Sequence, residues 1–225
     1  MLRSNNKSSI LLNTDASSIF AEAYRNLRIN IDFHAVETVR TIAVTSTSPG
    51  EGKTTTALHL AAAYAAGGKT VVLVDGDTRK PSLHHLIGRT GRIGLTDYLA
   101  EPGTLLFDII QDSRIERVSL ITAGTMFINP SDLLINGRLE TLMEELKKRF
   151  DMVIVDTTPV LAAIDAKIMA AKCDGVLFVL ESGKIKRNIV KKAVDELKQV
   201  NANIIGAALN KVKEKDTAYR YPYYS

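Results

Sequence analysis

Residues 45–56, TSTSPGEGKTTT, bring together two glycines, Gly50 and Gly52, a lysine, Lys53, and hydroxyls from Thr54 onward. Small residues let backbone N–H groups approach phosphate oxygens, and a helix starting at such a loop adds a favourable field for anions. A lysine followed by a threonine supplies a positive charge for the β- and γ-phosphates and a hydroxyl for Mg²⁺. Ser48, Pro49, Gly50, Glu51, Gly52, Lys53, Thr54 and Thr55 are therefore candidate nucleotide-binding residues. The usual pattern has glycine where this chain has Thr47, so the loop is a variant. Its context carries the reading: TIAVTS, a strand pattern, precedes it, and an alanine-rich helical pattern follows.

Carboxylates form the second chemical set. VVLVDGD ends on Asp75 and Asp77, and MVIVDTTP holds Asp156. Ligands in open parallel sheets gather at the carboxyl ends of strands. One aspartate there would be read as a helix cap; three, on strands expected to flank the phosphate loop, point to Mg²⁺ and to the handling of a water or hydroxyl. Arg79 and Lys80 in DTRKP could touch phosphate or a neighbouring subunit, or form a solvated loop. His84 and His85 have no carboxylate or cysteine partner at metal-ligand spacing and are read as structural.

These groups need a frame. Six β-branched runs recur at 41–46, 70–77, 118–124, 152–159, 175–183 and 203–210, apolar without alternation, as in strands buried on both faces. Helical patterns lie between them at 55–68, 131–150, 161–172 and 187–200. Strand alternating with helix implies right-handed crossovers and a parallel sheet covered on both sides. A further helix is expected at 17–33, where Phe20, Tyr24, Leu27 and Ile31 make one apolar stripe. Glu22, Arg25 and Arg28 repeat every three residues on the opposite side, which by spacing alone reads as a solvated face.

The 225 residues suit one α/β domain, and a hydrophobic share of 45% with 24% charged is ordinary for a globular chain, so composition selects no function. A net charge of +4, with basic residues scattered outside KIKRNIVKK at 184–192, gives no nucleic-acid footprint. Cys173 is the only cysteine, which excludes an internal disulfide and fits a reducing compartment. No stretch approaches the roughly 18 apolar residues of a membrane span, and the start is too polar for a signal peptide; the cytoplasm is expected. Four of the seven tyrosines, Tyr219, Tyr221, Tyr223 and Tyr224, crowd the last seven positions. Pro222, the preceding KVKEK and the chain end disfavour a packed element, so a mobile tail is expected.

SPGEGKTTT, VVLVDGDTRKP and MVIVDTTP together resemble the three nucleotide motifs, Walker A, A′ and B, of the bacterial tyrosine kinases. The resemblance runs from about residue 17 to the C-terminus. It takes in EAYRNLR, which matches the E-x-x-R-x-x-R element that joins subunits of that family into a ring, and the terminal tyrosines, which such kinases phosphorylate on one another. Ser48 stands where the wider MinD- and ParA-like ATPases usually carry lysine, which favours the kinase branch.

The resemblance implies an α/β fold of P-loop NTPase type, a mostly parallel central sheet with helices on both faces. It divides the chain into an N-terminal arm (1–16), a kinase domain (17–210) opening with an oligomerisation helix (17–33), and a tyrosine-rich tail (211–225). ATP and Mg²⁺ are the implied cofactors. Lys53 and the loop would hold ATP, Thr54 with Asp75, Asp77 and Asp156 would hold Mg²⁺, and Asp75 would accept the tyrosine proton. The order of roles among the three carboxylates stays open. Asn210 would read the adenine edge, as in related ATPases, or cap its turn. The implied partners are other copies in a ring-shaped octamer, a membrane-spanning activator with a cytoplasmic segment and a cognate tyrosine phosphatase, with no nucleic acid. The setting is capsular or extracellular polysaccharide synthesis at the inner face of the plasma membrane. The alternative is an ATP-driven scaffold that transfers nothing to tyrosine and has no need of the tail.

Overall fold

The structure, a computed structural model, describes residues 19–34, 38–86, 88 and 93–212. The arm at 1–16 and Tyr219, Tyr221, Tyr223 and Tyr224 of the tail lie outside the described residues. Strands β1 (Thr41–Ser46), β2 (Val71–Asp75), β3 (Ile110–Ile115), β4 (Val118–Ile121), β5 (Met152–Asp156), β6 (Gly175–Glu181) and β7 (Ile204–Asn210) form one sheet in the order β3-β4-β2-β5-β1-β6-β7. All neighbours run parallel except β3, which is antiparallel to β4.

Alternate side chains of each strand enter different cores, as the two-residue repeat of a strand requires. Ile42, Val44, Leu73, Ile154 and Leu177 pack on one face beneath α1 (Ile19–His34) and α2 (Lys53–Ala66). Ala43, Val72, Val74, Val153, Val155 and Phe178 face the other way. There they meet α4 (Leu95–Ala100), α5 (Leu106–Ile109), α7 (Arg138–Arg149), α8 (Asp165–Lys172) and α9 (Arg187–Gln199), while Leu83 of the short α3 (Leu83–Leu86) joins the first face. Burial on both faces is why the central strands read as unbroken apolar runs.

The structure departs from the sequence reading in four places. β3, IQDSRI, is a polar edge strand that mixes half-buried and exposed positions, so it lacks the apolar signal of its neighbours. The single helix expected at 131–150 is two, α6 (Pro130–Leu134) and α7, broken at Gly137, whose φ of 84° is left-handed backbone. β7 is the other edge, with Leu209 60% exposed, and is not buried on both faces. In α1, Leu27 and Ile31 join the core and Tyr24 stacks on His59, but Phe20, at the start of the stripe, is 67% exposed and outside the core.

Arg28 also leaves its expected face. A helix turns about 100° per residue, so a three-residue step falls short of a full turn by about 60° and drifts around the axis. Glu22 and Arg25 pair with each other, whereas Arg28 has drifted onto α2, where Nη1 donates to the Ala63 carbonyl at 3.3 Å beside Gly67. Tyr64 of α2, fully buried, donates its hydroxyl to Asp32 at 2.9 Å and fixes the other end of the same contact.

The break at Gly137 gives a test. Open space surrounds the position of a Cβ there, so Gly137→Ala adds only left-handed backbone strain. It should cost about 1–2 kcal/mol, lowering Tm by several degrees in a calorimetric scan, with ATP affinity unchanged.

Candidate active site: a phosphate loop facing three buried carboxylates

β1 delivers residues 47–52 to the N-terminus of α2, whose first-turn N–H groups have no intrahelical partner. Gly50 and Gly52 adopt φ of 84° and 99°, and a Cβ on Gly52 would lie 2.0 Å from the Asn210 side chain. Both glycines are thus required by backbone conformation, and the second also by space. Glu51 is 1% exposed and turns into the loop, accepting the Ser48 N–H at 2.6 Å, the Thr47 hydroxyl and the Glu181 N–H at 3.2 Å.

Strand register assembles the carboxylates. Asp156 lies level with Val44 of β1 on one side and with Asp75 of β2 on the other. Of the two carboxylate-bearing strands only β5 directly flanks the loop strand; β2 is one strand further out, a correction to the expected arrangement that arises because β5 inserts between β1 and β2. Lys53 reaches from α2 to Asp77 at 3.0 Å and approaches Asp156 to 3.8 Å, with the Thr54 hydroxyl 3.4 Å from its Nζ. Asp77 also accepts the Lys80 N–H at 3.0 Å.

Asp75 and Asp156 are fully buried. Burial pushes Asp156 up to about 7 against the opposing charge of Lys53, and Asp75 and Asp77 raise it further. Burial likewise pushes Asp75 up to about 6, opposed by the N–H groups of Leu83 and Ser82, which donate to its Oδ2 at 3.1 and 3.2 Å. Asp75 Oδ1 and both Asp156 oxygens have no hydrogen-bond partner.

Buried acceptors of this kind call for a cation or a donor. Mg²⁺ fits, because it is held by one or two carboxylates together with waters and substrate phosphates rather than by an all-protein cage. No three His, Cys, Asp or Glu side chains among the described residues converge as a preformed metal site. Thr54 and the three aspartates are the residues that would hold it.

Two sequence readings gain definite contacts. Arg79 grips the buried Asp165 with Nε at 2.7 Å and Nη2 at 3.2 Å, and Nη2 also reaches Ser131 at 3.0 Å. Asn210 donates its amide to the Glu51 carbonyl at 2.8 Å and accepts the Lys211 N–H at 2.9 Å, so its side chain holds loop and turn. Sequence reasoning passed over Asp165 and the side chain of Glu51. An aspartate opening a helix gives no sign of an arginine 86 positions earlier.

A family profile described as "AAA domain" matches residues 39–211. Tyrosine-protein kinase YwqD of Bacillus subtilis is 35% identical over 214 residues, covering 94% of this chain and 90% of that one. The chain belongs to the bacterial tyrosine kinases. Among solved structures, the chimerical protein CapA2B2 superposes with a TM-score of 0.87 at 32% identity, covering 92% of this chain and 91% of that one. The kinase domain of Escherichia coli tyrosine kinase ETK gives 0.82 at 35% identity, covering 90% and 80%. The protein is a protein-tyrosine kinase with a P-loop NTPase fold, as its motifs implied, and the scaffold alternative is set aside. No helix of the described residues is long and apolar enough to cross a membrane.

Burial of Asp156, with Asp75 and Asp77 close by, makes the ligand-free site a stability liability. An unfolded Asp156 would titrate near 3.8 and the folded one near 7, so between those values the folded state holds a proton that the unfolded chain has lost. Stability therefore falls as pH rises through that window. Asp156→Asn should stabilise the ligand-free protein at pH 8 by on the order of 1–3 kcal/mol, and the gain should vanish below about pH 4. Urea unfolding at both pH values measures this, and the same variant should lose tyrosine phosphorylation.

Proposed function

We propose that the protein transfers the γ-phosphoryl group of Mg²⁺·ATP to tyrosines of its own C-terminal tail, one subunit serving another. It would thereby regulate capsular or extracellular polysaccharide synthesis together with a membrane activator. The observation that carries the transfer chemistry is the apposition of Lys53, at the phosphate loop, to Asp77 and Asp156, with unpartnered buried oxygens on Asp156 and on neighbouring Asp75.

In the step itself, the phenolic oxygen attacks the γ-phosphorus while the bond to the β,γ-bridging oxygen breaks, releasing ADP. Lys53 stabilises charge on the β- and γ-oxygens, and the loop N–H groups orient the phosphates. Asp75 accepts the phenolic proton. Asp77 positions the metal and the acceptor. Thr54 and Asp156 would hold Mg²⁺, which when bound would neutralise the charge that develops on the phosphate groups.

Glu22, Arg25 and Arg28 are proposed as ring contacts of an octamer. Because Arg28 also holds α1 to α2, the cleaner probes of assembly are Glu22→Ala and Arg25→Ala. A phosphate on each of four tail tyrosines would add roughly −6 to −8 of charge, more than the chain's formal +4, so phosphorylation would loosen the ring. A tyrosine phosphatase would reset it, and the activator's cytoplasmic segment would recruit the kinase to the inner membrane face and raise its activity.

Lys53→Met should abolish autophosphorylation while leaving the far-UV spectrum unchanged. Mixing that variant, tail intact, with an active chain lacking residues 213–225 should place label on Tyr219, Tyr221, Tyr223 and Tyr224 of the Lys53→Met chain. An unlabelled tail, with the active chain still labelling other tyrosines, would rule out transfer between subunits.

A further inference from the structure

We propose that the Glu51 side chain is a positioning residue for ATP, an internal acceptor that sets the first half of the phosphate loop before phosphate arrives. We further propose that Thr47 replaces the usual glycine because that acceptor uses its hydroxyl. The inference rests on the nucleotide reading of the loop.

A carboxylate beside a site for a polyanion is electrostatically unfavourable, and one that is 1% exposed also gives up its hydration. Its place in the loop therefore needs a compensating role. The geometry supplies one. One oxygen draws the Thr47 hydroxyl and the Ser48 N–H together at the entry of the loop, and the other ties that entry to the Glu181 N–H at the end of β6. Thr47 is itself 1% exposed, so its hydroxyl has little access to water as an alternative partner.

The exit of the loop is set from the other side. Lys211 Nζ donates to the Gly50 carbonyl at 2.6 Å and Asn210 donates to the Glu51 carbonyl at 2.8 Å. In a trans peptide the N–H points opposite to the carbonyl of the preceding residue, and no peptide here is cis. Those two bonds therefore aim the N–H groups of Glu51 and Gly52 away from Lys211 and Asn210, as free phosphate donors must be aimed. The Ser46 hydroxyl holds the Ser48 carbonyl at 2.9 Å, and Pro49 has no N–H to orient. Once exit and middle are held this way, the entry at 47–48 depends on the Glu51 carboxylate. Preorganised donors bind phosphate without the cost of ordering the loop on arrival.

The test compares wild type with Glu51→Ala, Glu51→Gln and Thr47→Val. A fluorescent ATP analogue with Mg²⁺ reports Kd, and steady-state autophosphorylation reports KM and kcat. Glu51→Ala should weaken ATP binding about tenfold or more and raise KM accordingly, with kcat at saturating ATP changed much less. Glu51→Gln should fall between, because its NH₂ must face a donor that the carboxylate accepted. Thr47→Val should weaken binding less, and adding it to Glu51→Ala should weaken binding no further, since the acceptor is already gone. A merely structural Glu51 would lower Tm and leave Kd and KM unchanged, overturning the role. Should Glu51→Ala fail to fold, Thr47→Val, which leaves the carboxylate both backbone donors, carries the same readout. A wild-type chain that binds no ATP overturns the nucleotide reading and this role with it; equal binding by wild type and variants overturns the role alone.

Discussion

At the carboxyl end of the sheet, Asp75, Asp77 and Asp156 are each no more than 5% exposed, and Lys53 reaches only Asp77 and Asp156. Burial first, and the neighbouring carboxylates second, favour the protonated forms of Asp75 and Asp156 and push their titration upward. The site can be held only because parallel strands, buried on both faces, have nowhere to move. Val71–Asp75 and Met152–Asp156 run in register for their full length, so separating the two terminal aspartates would break the ladder between them. The core that makes the fold stable is thus the clamp that keeps unneutralised charge in place until a cation and a phosphate chain arrive.

Around this centre the polar contacts fall into two groups. One holds the phosphate loop to β6 and β7 through Glu51, Asn210 and Lys211, with Glu181 both donating its N–H to Glu51 and accepting Lys211 at 3.0 Å. The other holds the segment after β2 to α8 through Arg79 and the buried Asp165, with Ser131 donating to the same carboxylate at 2.6 Å. Both use charged or amide groups within a few residues of the reacting centre. A bidentate arginine against a buried carboxylate fixes orientation as well as distance, which is what in-line transfer asks of a scaffold.

Much of this was legible beforehand because the physics behind it is local. Buried parallel strands must be apolar at every position, so β1, β2, β4, β5 and β6 stand out as runs. A loop that admits phosphate must have small residues and a lysine before a helix, so residues 47–54 stand out as well. What escaped notice was governed by the edges and by long-range contact. β3 lies at an edge with half its faces wet, Gly137 breaks a pattern that periodicity alone carries through, and Phe20 continues a stripe that the core does not reach.

By itself, then, the sequence determined the composition of the site: the phosphate loop, the lysine, the three aspartates at strand ends and the membership of a kinase family, all carried by short contiguous motifs. Tertiary structure alone decided their arrangement. Strand order put β5 rather than β2 beside the loop, rotation along α1 sent Arg28 into α2, and folding brought Arg79 onto Asp165 and Asn210 onto Glu51. The reason is one of range: conformational preference and burial act on neighbouring residues and leave a periodic trace in the chain. An ion pair across 86 positions or an amide hydrogen bond across 159 exists only once the sheet has closed, and leaves none.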